Sequence, residues 1–332
     1  MALMIVLPIF LFIASFVSAQ IDPELPNHCP KEKDAISPCT CRPDYDGSCF
    51  IKCYAVNIDA LRKLAQYPNL CDGKIDFSLQ HSRVKAIPLA LWKVLLTSKT
   101  VDVSIMYSKV DYLVAPEEGT LPALNTSGSA IIKIVHSKDI SRWQWSQLKS
   151  YNPRFSLTLV IDDTPVNELT TDFADIAGGN VRKVSIDIAD LQSLPEGIFS
   201  KFSNSYSISV QNNHLADISR SMFPRPAPKL RFLSLNGNDL TYLPEDLFSD
   251  MPGLEIVYLL ENELTTLPEN IFMSVNSRRL RLIELTRNPW ECDCDLRKAT
   301  FNATSFVDLG YCATPGEMVG NKVQDLSTIL NC

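Results

Sequence analysis

Apolar and polar positions alternate in a pattern that repeats along the middle of the chain. Seven positions of one segment recur 24 residues further on. The matched pairs are Leu230 and Leu254, Leu233 and Val257, Leu235 and Leu259, Asn238 and Asn262, Leu240 and Leu264, Leu243 and Leu267, and Phe248 and Phe272. Self-similarity at a fixed period is typical of proteins built from stacked structural units. The alternate apolar residues Leu233 and Leu235 predict a short strand with one buried face.

The same frame extends in both directions and becomes less regular toward the start of the chain. It runs from Phe77 to Asn288 and predicts nine turns. A single turn cannot bury the apolar face of its strand, whereas stacked turns hide it from water. We therefore predict an α/β solenoid whose strands form a curved parallel sheet on the concave side, about 40 Å long at a strand spacing of about 4.8 Å. The repeats are expected over 74–288, between a leading region 20–73 and a terminal region 289–332.

One polar position per turn distinguishes the two halves of the repeats. It is asparagine in the later turns, at Asn213, Asn238, Asn262 and Asn288, where a buried amide can bond backbone groups of adjacent turns. Earlier turns carry shorter side chains there, namely Ser82, Ser108, Ser137, Thr164 and Ala189. We expect these to need water to complete the bonding. The amino-terminal half is therefore expected to be less regular and to open more easily.

Aromatic residues recur behind the predicted strands. Phe199, Phe248 and Phe272 each follow the proline of a Leu-Pro-Glu element by four positions, and Trp92 takes the same place in the first turn. Large apolar rings at one repeat position predict a buried stack within the core.

The first residues predict a segment that is removed on secretion. The stretch 1–20 has no charged side chain and is largely apolar, and Val17 and Ala19 supply small residues before a cleavage site. We expect cleavage after about Ala19; an uncleaved anchor is the alternative, since no basic residue precedes the apolar run. No later run is long enough to span a bilayer. A soluble extracellular protein without a membrane anchor is therefore expected.

Ten cysteines form two clusters around a cysteine-free middle. The first cluster is Cys29, Cys39, Cys41, Cys49, Cys53 and Cys71, and the second is Cys292, Cys294, Cys312 and Cys332. Such clusters in a secreted chain indicate disulfide-bonded ends. The net charge of −7, with 45% apolar residues, is typical of a soluble globular protein and argues against a nucleic-acid surface.

The cysteine segments and the repeat together resemble a known family. Segment 288–296, N-P-W-E-C-D-C-D-L, followed by Cys312 and Cys332, resembles the carboxy-terminal cap of extracellular leucine-rich-repeat proteins. The spacing of the cysteines in 29–49 is similar to the amino-terminal cap of the same family. With the segment 36–41, I-S-P-C-T-C, the chain also resembles arthropod proteins of the oplophorus-luciferin 2-monooxygenase non-catalytic subunit type.

The family resemblance implies a set of disulfides. The implied pairs are Cys292 with Cys312, Cys294 with Cys332, Cys29 with Cys41 and Cys39 with Cys49, which leaves Cys53 to pair with Cys71.

No motif for catalysis, a cofactor or a metal is found. His81 and His136 occupy the same repeat position two turns apart, but no third ligand falls in register, so we expect two solvated imidazoles. Cys292 and Cys294 are expected to be oxidised rather than to hold zinc. The chain has no Gly-rich phosphate loop, G-x-S-x-G or H-E-x-x-H. A protein without enzymatic activity, cofactor or metal is expected.

Outward positions of the predicted sheet form three zones. The first is mixed, with Met106, Tyr107, Ile131 and Val135; the second is acidic, with Asp162, Asp163 and Asp187; the third is apolar, with Phe232, Ile256, Tyr258, Leu260 and Leu282. The acidic zone is either a solvated pair screened by salt and Lys183 or a site for a cation or a basic group of a partner. The apolar zone is either an interaction hot spot or partly covered by the terminal cap.

The outward zones favour recognition as the function. We expect a secreted protein that binds an extracellular protein or glycan through the concave sheet, since repeat scaffolds vary their outward positions to set specificity. The alternative is a non-catalytic subunit that stabilises a secreted enzyme chain of the luciferase-like oxygenase type. A signalling receptor is disfavoured because it would need an anchor. Two sequons, at Asn125 and Asn302, predict N-glycosylation.

Overall fold

The computed structural model describes most of the chain. The described residues are 29–30, 35–68, 70–118, 128–138, 140–149, 152, 154–276, 278–301 and 306–332. The expected leader, 1–19, and both sequons, Asn125 and Asn302, lie outside them.

Strands dominate the described regions. In chain order they are β1 Cys39–Pro43, β2 Cys49–Tyr54, β3 Ile75–Gln80, β4 Arg83–Ala86, β5 Thr100–Met106, β6 Lys109–Tyr112, β7 Ser129–Val135, β8 Ser156–Asp162, β9 Val181–Asp187, β10 Ser207–Gln211, β11 Phe232–Ser234, β12 Ile256–Tyr258, β13 Leu282–Glu284 and β14 Val307–Asp308. Twelve of them form one sheet in chain order, and β4 pairs with β6 in a second, small parallel sheet.

The main sheet is parallel apart from its first pair. The hairpin β1–β2 is antiparallel, and every later neighbour, from β2–β3 to β13–β14, runs parallel. Nine strands, β3, β5 and β7 to β13, carry the repeat, so the nine predicted turns of an α/β solenoid are confirmed. The sheet also extends into both terminal regions.

Helices are short. The α-helices are α1 Ile58–Leu64, α2 Leu89–Leu95, α3 Cys294–Phe301 and α4 Leu326–Ile329. Single 3₁₀ turns lie at Pro116–Glu118, Trp145–Leu148, Thr171–Asp175, Ala177–Gly179, Arg220–Met222, Gly316–Met318 and Val323–Asp325. Within the described ranges, none of the helices has the length and apolar character that a bilayer crossing needs.

Strand alternation separates the core from an outward face. In β3, Ile75, Phe77 and Leu79 are buried, whereas Asp76 and Ser78 are half-buried. The parallel register keeps this separation from turn to turn, so equivalent side chains form rows across the sheet. One such row is Gln80, Met106, Val135, Asp162, Asp187 and Gln211.

A residue that follows each of the strands β2, β3, β5 and β7 to β13, directly or three positions on, leaves the sheet in the left-handed conformation. These residues, which we name the rim column, are Ala55, His81, Tyr107, His136, Asp163, Ile188, Asn212, Gly237, Glu261 and Arg287, with φ between 43° and 60°. Their N–H groups continue the ladder, as when Tyr107 donates to the Val135 carbonyl at 3.1 Å. The rim column therefore lines one edge of the outward face.

Side-chain ladders bind the turns behind the rim column. In a later turn, Asn262 Nδ2 donates to the Leu235 and Leu259 carbonyls at 3.0 and 3.1 Å, and its Oδ1 accepts from the Leu240 N–H at 3.2 Å. The predicted asparagine ladder is confirmed. In an early turn, Ser108 Oγ accepts from the Ser82 N–H at 3.0 Å and donates to the Met106 carbonyl at 2.8 Å.

The expectation that the early turns need water is wrong. Ser82, Ser137 and Thr164 make the same two bonds as Ser108, so each of these four hydroxyls reaches the adjacent turn directly. For Ala189, which has no side-chain polar group, the expectation stays a prediction. Strands in this half are also longer, with seven residues in β5, β7, β8 and β9 against three in β11, β12 and β13.

Stacked aromatic rings fill the core behind the sheet. Trp92, Phe199 and Phe248 are buried as predicted, while Phe272 is only half-buried. Ring centroids step from Trp145 to Phe173 at 5.1 Å, from Phe173 to Phe199 at 6.1 Å and from Phe199 to Phe223 at 6.0 Å. The first two contacts are edge to face and the third is stacked, and edge-to-face and offset-stacked rings at these distances are favourable aromatic geometries.

Disulfides close both ends, and two of the expected pairs are wrong. The pairs Cys29–Cys41, Cys292–Cys312 and Cys294–Cys332 are confirmed. Instead of Cys39–Cys49 and Cys53–Cys71, the structure joins Cys39 to Cys53 and Cys49 to Cys71.

The β1–β2 hairpin explains the exchange. Its register sets Cys39 opposite Cys53, with 4.2 Å between the Cα atoms, and places Cys49 at the other end of the hairpin, opposite Pro43. Cys39 and Cys49 are therefore too far apart along the strands for the Cα separation of at most about 7 Å that a disulfide allows.

Candidate binding surfaces

An apolar group lies on the outward face of the last repeats. Phe232, Ile256 and Leu282 are in register on β11, β12 and β13, as their shared repeat position predicts. Tyr258 and Leu260 follow on the same face, and the Phe232 and Tyr258 rings meet edge to face at 5.5 Å. All five side chains are half-buried. We name these five residues the apolar patch.

The carboxy-terminal cap continues the apolar patch at its edge. Strand β14 of the cap adds to β13 in parallel, with Ile283 opposite Val307. Phe306, the residue before β14, therefore takes the position next to Leu282 and is itself half-buried. Both alternatives for this zone, an interaction hot spot and partial cover by the cap, therefore stay predictions.

The acidic centre consists of Asp162, Asp163 and Asp187. Asp162 and Asp187 face each other in register across β8 and β9, and neither forms an ion pair with any described residue, Lys183 included. The Asn212 amide donates to Asp187 at 2.7 Å. Asp163 belongs to the rim column and accepts from His136 Nδ1 at 2.7 Å. Like charges directly opposite each other destabilise a sheet, so this pair favours a cationic group from outside the chain.

A second in-register acidic pair shows how the fold compensates such charges elsewhere. Asp76 and Asp102 face each other on β3 and β5, and Lys74 Nζ lies 2.9 and 2.7 Å from their carboxylates. Partial burial opposes the charge of Lys74, but its hydrogen bonds to Asp102 and Asp76 outweigh this and raise the pKa of Lys74. In the described part of the chain, no lysine pairs with Asp162 and Asp187 in this way.

Metal-ligating side chains do not converge in the acidic centre. Across the described ranges, the one group of three candidate ligand atoms close enough to share an ion is Cys29, Cys41 and Cys49. These cysteines are all engaged in disulfides. The alternatives for the acidic centre, a solvated pair screened by salt or a site for a cation or a basic group of a partner, stay predictions.

Rings from three neighbouring turns stack along the rim column in the first zone. The His81 and Tyr107 rings are 5.0 Å apart and 9° from parallel, and Tyr107 and His136 are 5.1 Å apart and 19° from parallel. We name His81, Tyr107 and His136 the ring ladder. The Tyr54 ring of β2 packs at a tilt against His81, with 5.1 Å between the ring centroids. The sequence predicted separate imidazoles at His81 and His136, whereas Tyr107 joins them. Met106, Ile131 and Val135 lie beside this ring ladder on the sheet face, each half-buried.

Four basic side chains, which sequence reasoning did not group, lie beside the ring ladder. Arg83, Lys109 and Lys138 each stand two residues after a ladder ring, and with Arg142 and Asp111 they line a shallow depression of about 410 Å³. We name Arg83, Lys109, Lys138 and Arg142 the basic strip. The signal was available as three tripeptides in one register: H-S-R at 81–83, Y-S-K at 107–109 and H-S-K at 136–138.

This architecture defines a leucine-rich-repeat solenoid with disulfide-bonded caps. Residues 228–289 match the family model described as Leucine rich repeat. The matched part contains the most regular turns, which explains why the earlier turns fall outside it. No curated protein matches the chain.

Solved structures share the fold at low identity. One is a chain of the Drosophila Toll–Spatzle complex, at TM-score 0.55 and 15% identity over 75% of this chain and 35% of that chain. Another is a chain of the octameric complex of Latrophilin 3, Unc5D and FLRT2, at TM-score 0.57 and 15% identity over 88% of this chain and 97% of that chain. Our chain thus spans about a third of the first chain and nearly all of the second.

Proposed function

We propose that this protein is a secreted recognition module that binds an extracellular protein through the outward face of its sheet. The observation that carries the proposal is the apolar patch, in which Phe232, Ile256 and Leu282 are in register at the sheet surface. Tyr258 and Leu260 add a second aromatic and a third aliphatic side chain beside them. Contiguous apolar and aromatic surface on a protein in water usually marks an interface. The proposal gives the chain no catalytic role of its own.

The chemistry of the patch supports a protein partner. Tyr258 and Phe232 are large rings held edge to face, and rigid aromatic side chains are typical of binding hot spots because they lose little conformational freedom on association. A soluble glycan without apolar groups would offer no apolar surface to Ile256 and Leu282.

The acidic centre supports a partner with a basic group beside its apolar contact. Asp162 and Asp187 lie in register, no described lysine or arginine pairs with either of them, and they lie within three strands of the apolar patch along the sheet. A lysine or arginine of the partner would relieve their repulsion. The structures with this fold include chains solved in complexes with other proteins, which agrees with a protein partner.

Photo-crosslinking at a single position tests the proposal. The tagged full-length protein, with p-benzoylphenylalanine in place of Phe232, is incubated in the extracellular fluid in which the protein occurs and irradiated. The matched control carries the same group at Tyr242, which is 58% exposed and lies outside the sheet. We expect a discrete crosslinked species from position 232 and none from position 242.

Substituted variants of the protein then test whether the crosslinked residues contribute to the affinity for the identified partner. Phe232→Ala and Tyr258→Ala should each weaken binding of the identified partner about 10-fold or more, as expected of hot-spot residues, while Tyr242→Ala should leave it unchanged. Unchanged affinity in both patch variants would place the interface elsewhere. A stoichiometric secreted enzyme chain as the partner would make the protein a non-catalytic subunit.

A further inference from the structure

Cations occupy one position of the repeat in the first three turns and in no later turn. The residue two positions after the rim column is Arg83, Lys109 or Lys138 in those turns. Later turns place Pro165, Asp190, His214, Asp239, Glu263 and Pro289 at the same position. A protein with a net charge of −7 therefore concentrates positive charge along one short line.

Backbone hydrogen bonds hold the basic strip straight. The Lys109 N–H donates to the Ser82 carbonyl and the Lys138 N–H to the Ser108 carbonyl, both at 2.8 Å, and Arg83 is in register with Lys109 between β4 and β6. Equivalent residues one turn apart are separated by about 4.8 Å, so the first and third cations have Cα atoms about 10 Å apart.

Among the described residues, one carboxylate pairs with the four cations of the basic strip. Arg83, Lys138 and Arg142 are exposed and form no ion pair with any residue in the described part of the chain. Lys109 pairs at 3.5 Å with Asp111, the one carboxylate among the described residues that line the depression. The neighbouring Asp139 lies outside the described residues.

The ring ladder presents edges rather than faces beside these cations. His81, Tyr107 and His136 cover one another's faces, being 5.0 and 5.1 Å apart and nearly parallel. Tyr107 is nevertheless 54% exposed, so its rim and hydroxyl reach solvent. The Tyr107 hydroxyl and the His81 imidazole can donate hydrogen bonds to anionic or hydroxyl oxygens, whereas His136 Nδ1 already donates to Asp163. A flat sugar or base stacked on a ring face is not what this surface accommodates.

We propose that the basic strip and the ring ladder bind a sulfated polysaccharide that runs along the axis of the solenoid over its first three turns. A linear polyanion with charged groups at regular intervals matches a line of cations at regular intervals. Its hydroxyl and sulfate oxygens match the donors at the ring edges. Asp163, next in the rim column, ends the surface by repelling the anion. This site is separate from the apolar patch and does not depend on the proposed protein partner.

Binding to immobilised heparin tests the proposal with a matched pair of variants. The triple variant Arg83→Gln/Lys109→Gln/Lys138→Gln removes three charges from the basic strip. The control, Arg278→Gln/Arg279→Gln/Arg281→Gln, removes three exposed charges elsewhere. We expect about a 10-fold or greater loss of heparin affinity in the strip variant and less than a twofold loss in the control. The salt dependence of binding should also become shallower in the strip variant, because fewer counterions are released.

Footprinting on the unaltered protein makes the result independent of variant folding. Heparin should protect Lys109 and Lys138 from acetylation and leave Lys93, an exposed residue of α2 in the same part of the chain, unprotected. Desulfated heparin should protect none of them, and inorganic sulfate should compete only weakly. Equal losses in both triple variants, or absence of protection at Lys109 and Lys138, would overturn the proposal. Polyglutamate binding as tight as heparin would assign the strip to acidic proteins instead and would equally refute it.

Discussion

At the scale of single residues, the rim column imposes a left-handed backbone on side chains that do not all tolerate it. Asn212 and Gly237 suit this conformation, but Ile188 adopts it with φ of 49°. A β-branched residue pays the highest steric cost there. Its N–H is bonded to the Gln211 carbonyl at 3.2 Å and its carbonyl to the Thr164 N–H, so the ladder prevents it from relaxing.

Replacing Ile188 should therefore stabilise the protein. Its side chain is 46% exposed, so little packing is lost. We expect Ile188→Asn to raise the free energy of unfolding by about 1 kcal/mol, because asparagine tolerates the left-handed region. Urea unfolding measures the change. Ile188→Val, which keeps the β-branch, is the control and should give no gain; equal stability of the asparagine variant and the parent would show that no strain is stored there.

The polar ladder residues differ in how many backbone groups they satisfy. Asn262 serves buried carbonyls on two turns and one N–H, whereas Ser108 serves one carbonyl and one N–H. Each buried group left without a partner costs about 1–3 kcal/mol. At the lower end of that range, we expect Asn262→Ala to lose about 3 kcal/mol and Ser108→Ala about 2 kcal/mol of the free energy of unfolding. Urea unfolding measures both free energies. If the two variants lost the same free energy of unfolding, water would be replacing the asparagine amide.

At the scale of elements, the amino-terminal hairpin sets the connectivity of its disulfides. The double variant Cys39→Ser/Cys53→Ser removes one complete bridge and should leave no free thiol. Cys39→Ser/Cys49→Ser breaks two bridges and should leave two thiols, at Cys53 and Cys71, because the observed partners are lost. Maleimide labelling of the denatured, unreduced proteins counts them. Two thiols in the first double variant and none in the second would instead support the pairing that the family resemblance implied.

Strand length predicts how protection of backbone amides from hydrogen exchange varies along the sheet. Seven-residue strands in β5, β7, β8 and β9 have longer hydrogen-bonded ladders than the three-residue strands β11, β12 and β13. Elements with more buried, bonded backbone open less readily. We expect amide hydrogen exchange in the early strands to be at least as slow as in the late ones. Faster exchange throughout the early strands would support the less regular half that the shorter polar side chains suggested.

At the scale of the whole molecule, two chemically different surfaces lie at opposite ends of one sheet. The basic strip accompanies the first three repeat strands and the apolar patch the last three. Four strand spacings, about 20 Å, separate β7 from β11. The acidic centre lies between them. The two ligands proposed above, a polyanion and a protein, would therefore occupy opposite ends of the sheet.

The two surfaces should act independently. Sites more than about 10 Å apart without shared contacts usually have additive effects. We expect saturating heparin to leave crosslinking at position 232 unchanged, and the triple variant of the basic strip to leave partner affinity within about twofold. Phe232→Ala should in turn leave heparin elution unchanged. Coupling in either direction would indicate that one ligand spans the sheet or that the turns move together.

Sequence periodicity by itself determined the solenoid, its nine repeat strands, the buried asparagine position and the in-register groups Asp162 with Asp187 and Phe232 with Ile256. Repeat position maps directly onto sheet register when every turn is stacked in parallel. Chemistry local to one turn, such as the terminal cysteine spacing, also identified where the caps lie.

Only the tertiary structure decided the features that depend on contacts between turns or on hairpin register. It paired Cys39 with Cys53, because an antiparallel register is not visible in cysteine spacing. It showed serine hydroxyls reaching the next turn without water, since this depends on the distance between backbones. It joined His81, Tyr107 and His136 in one ladder, because residues 26 to 29 positions apart become neighbours only when the turns stack.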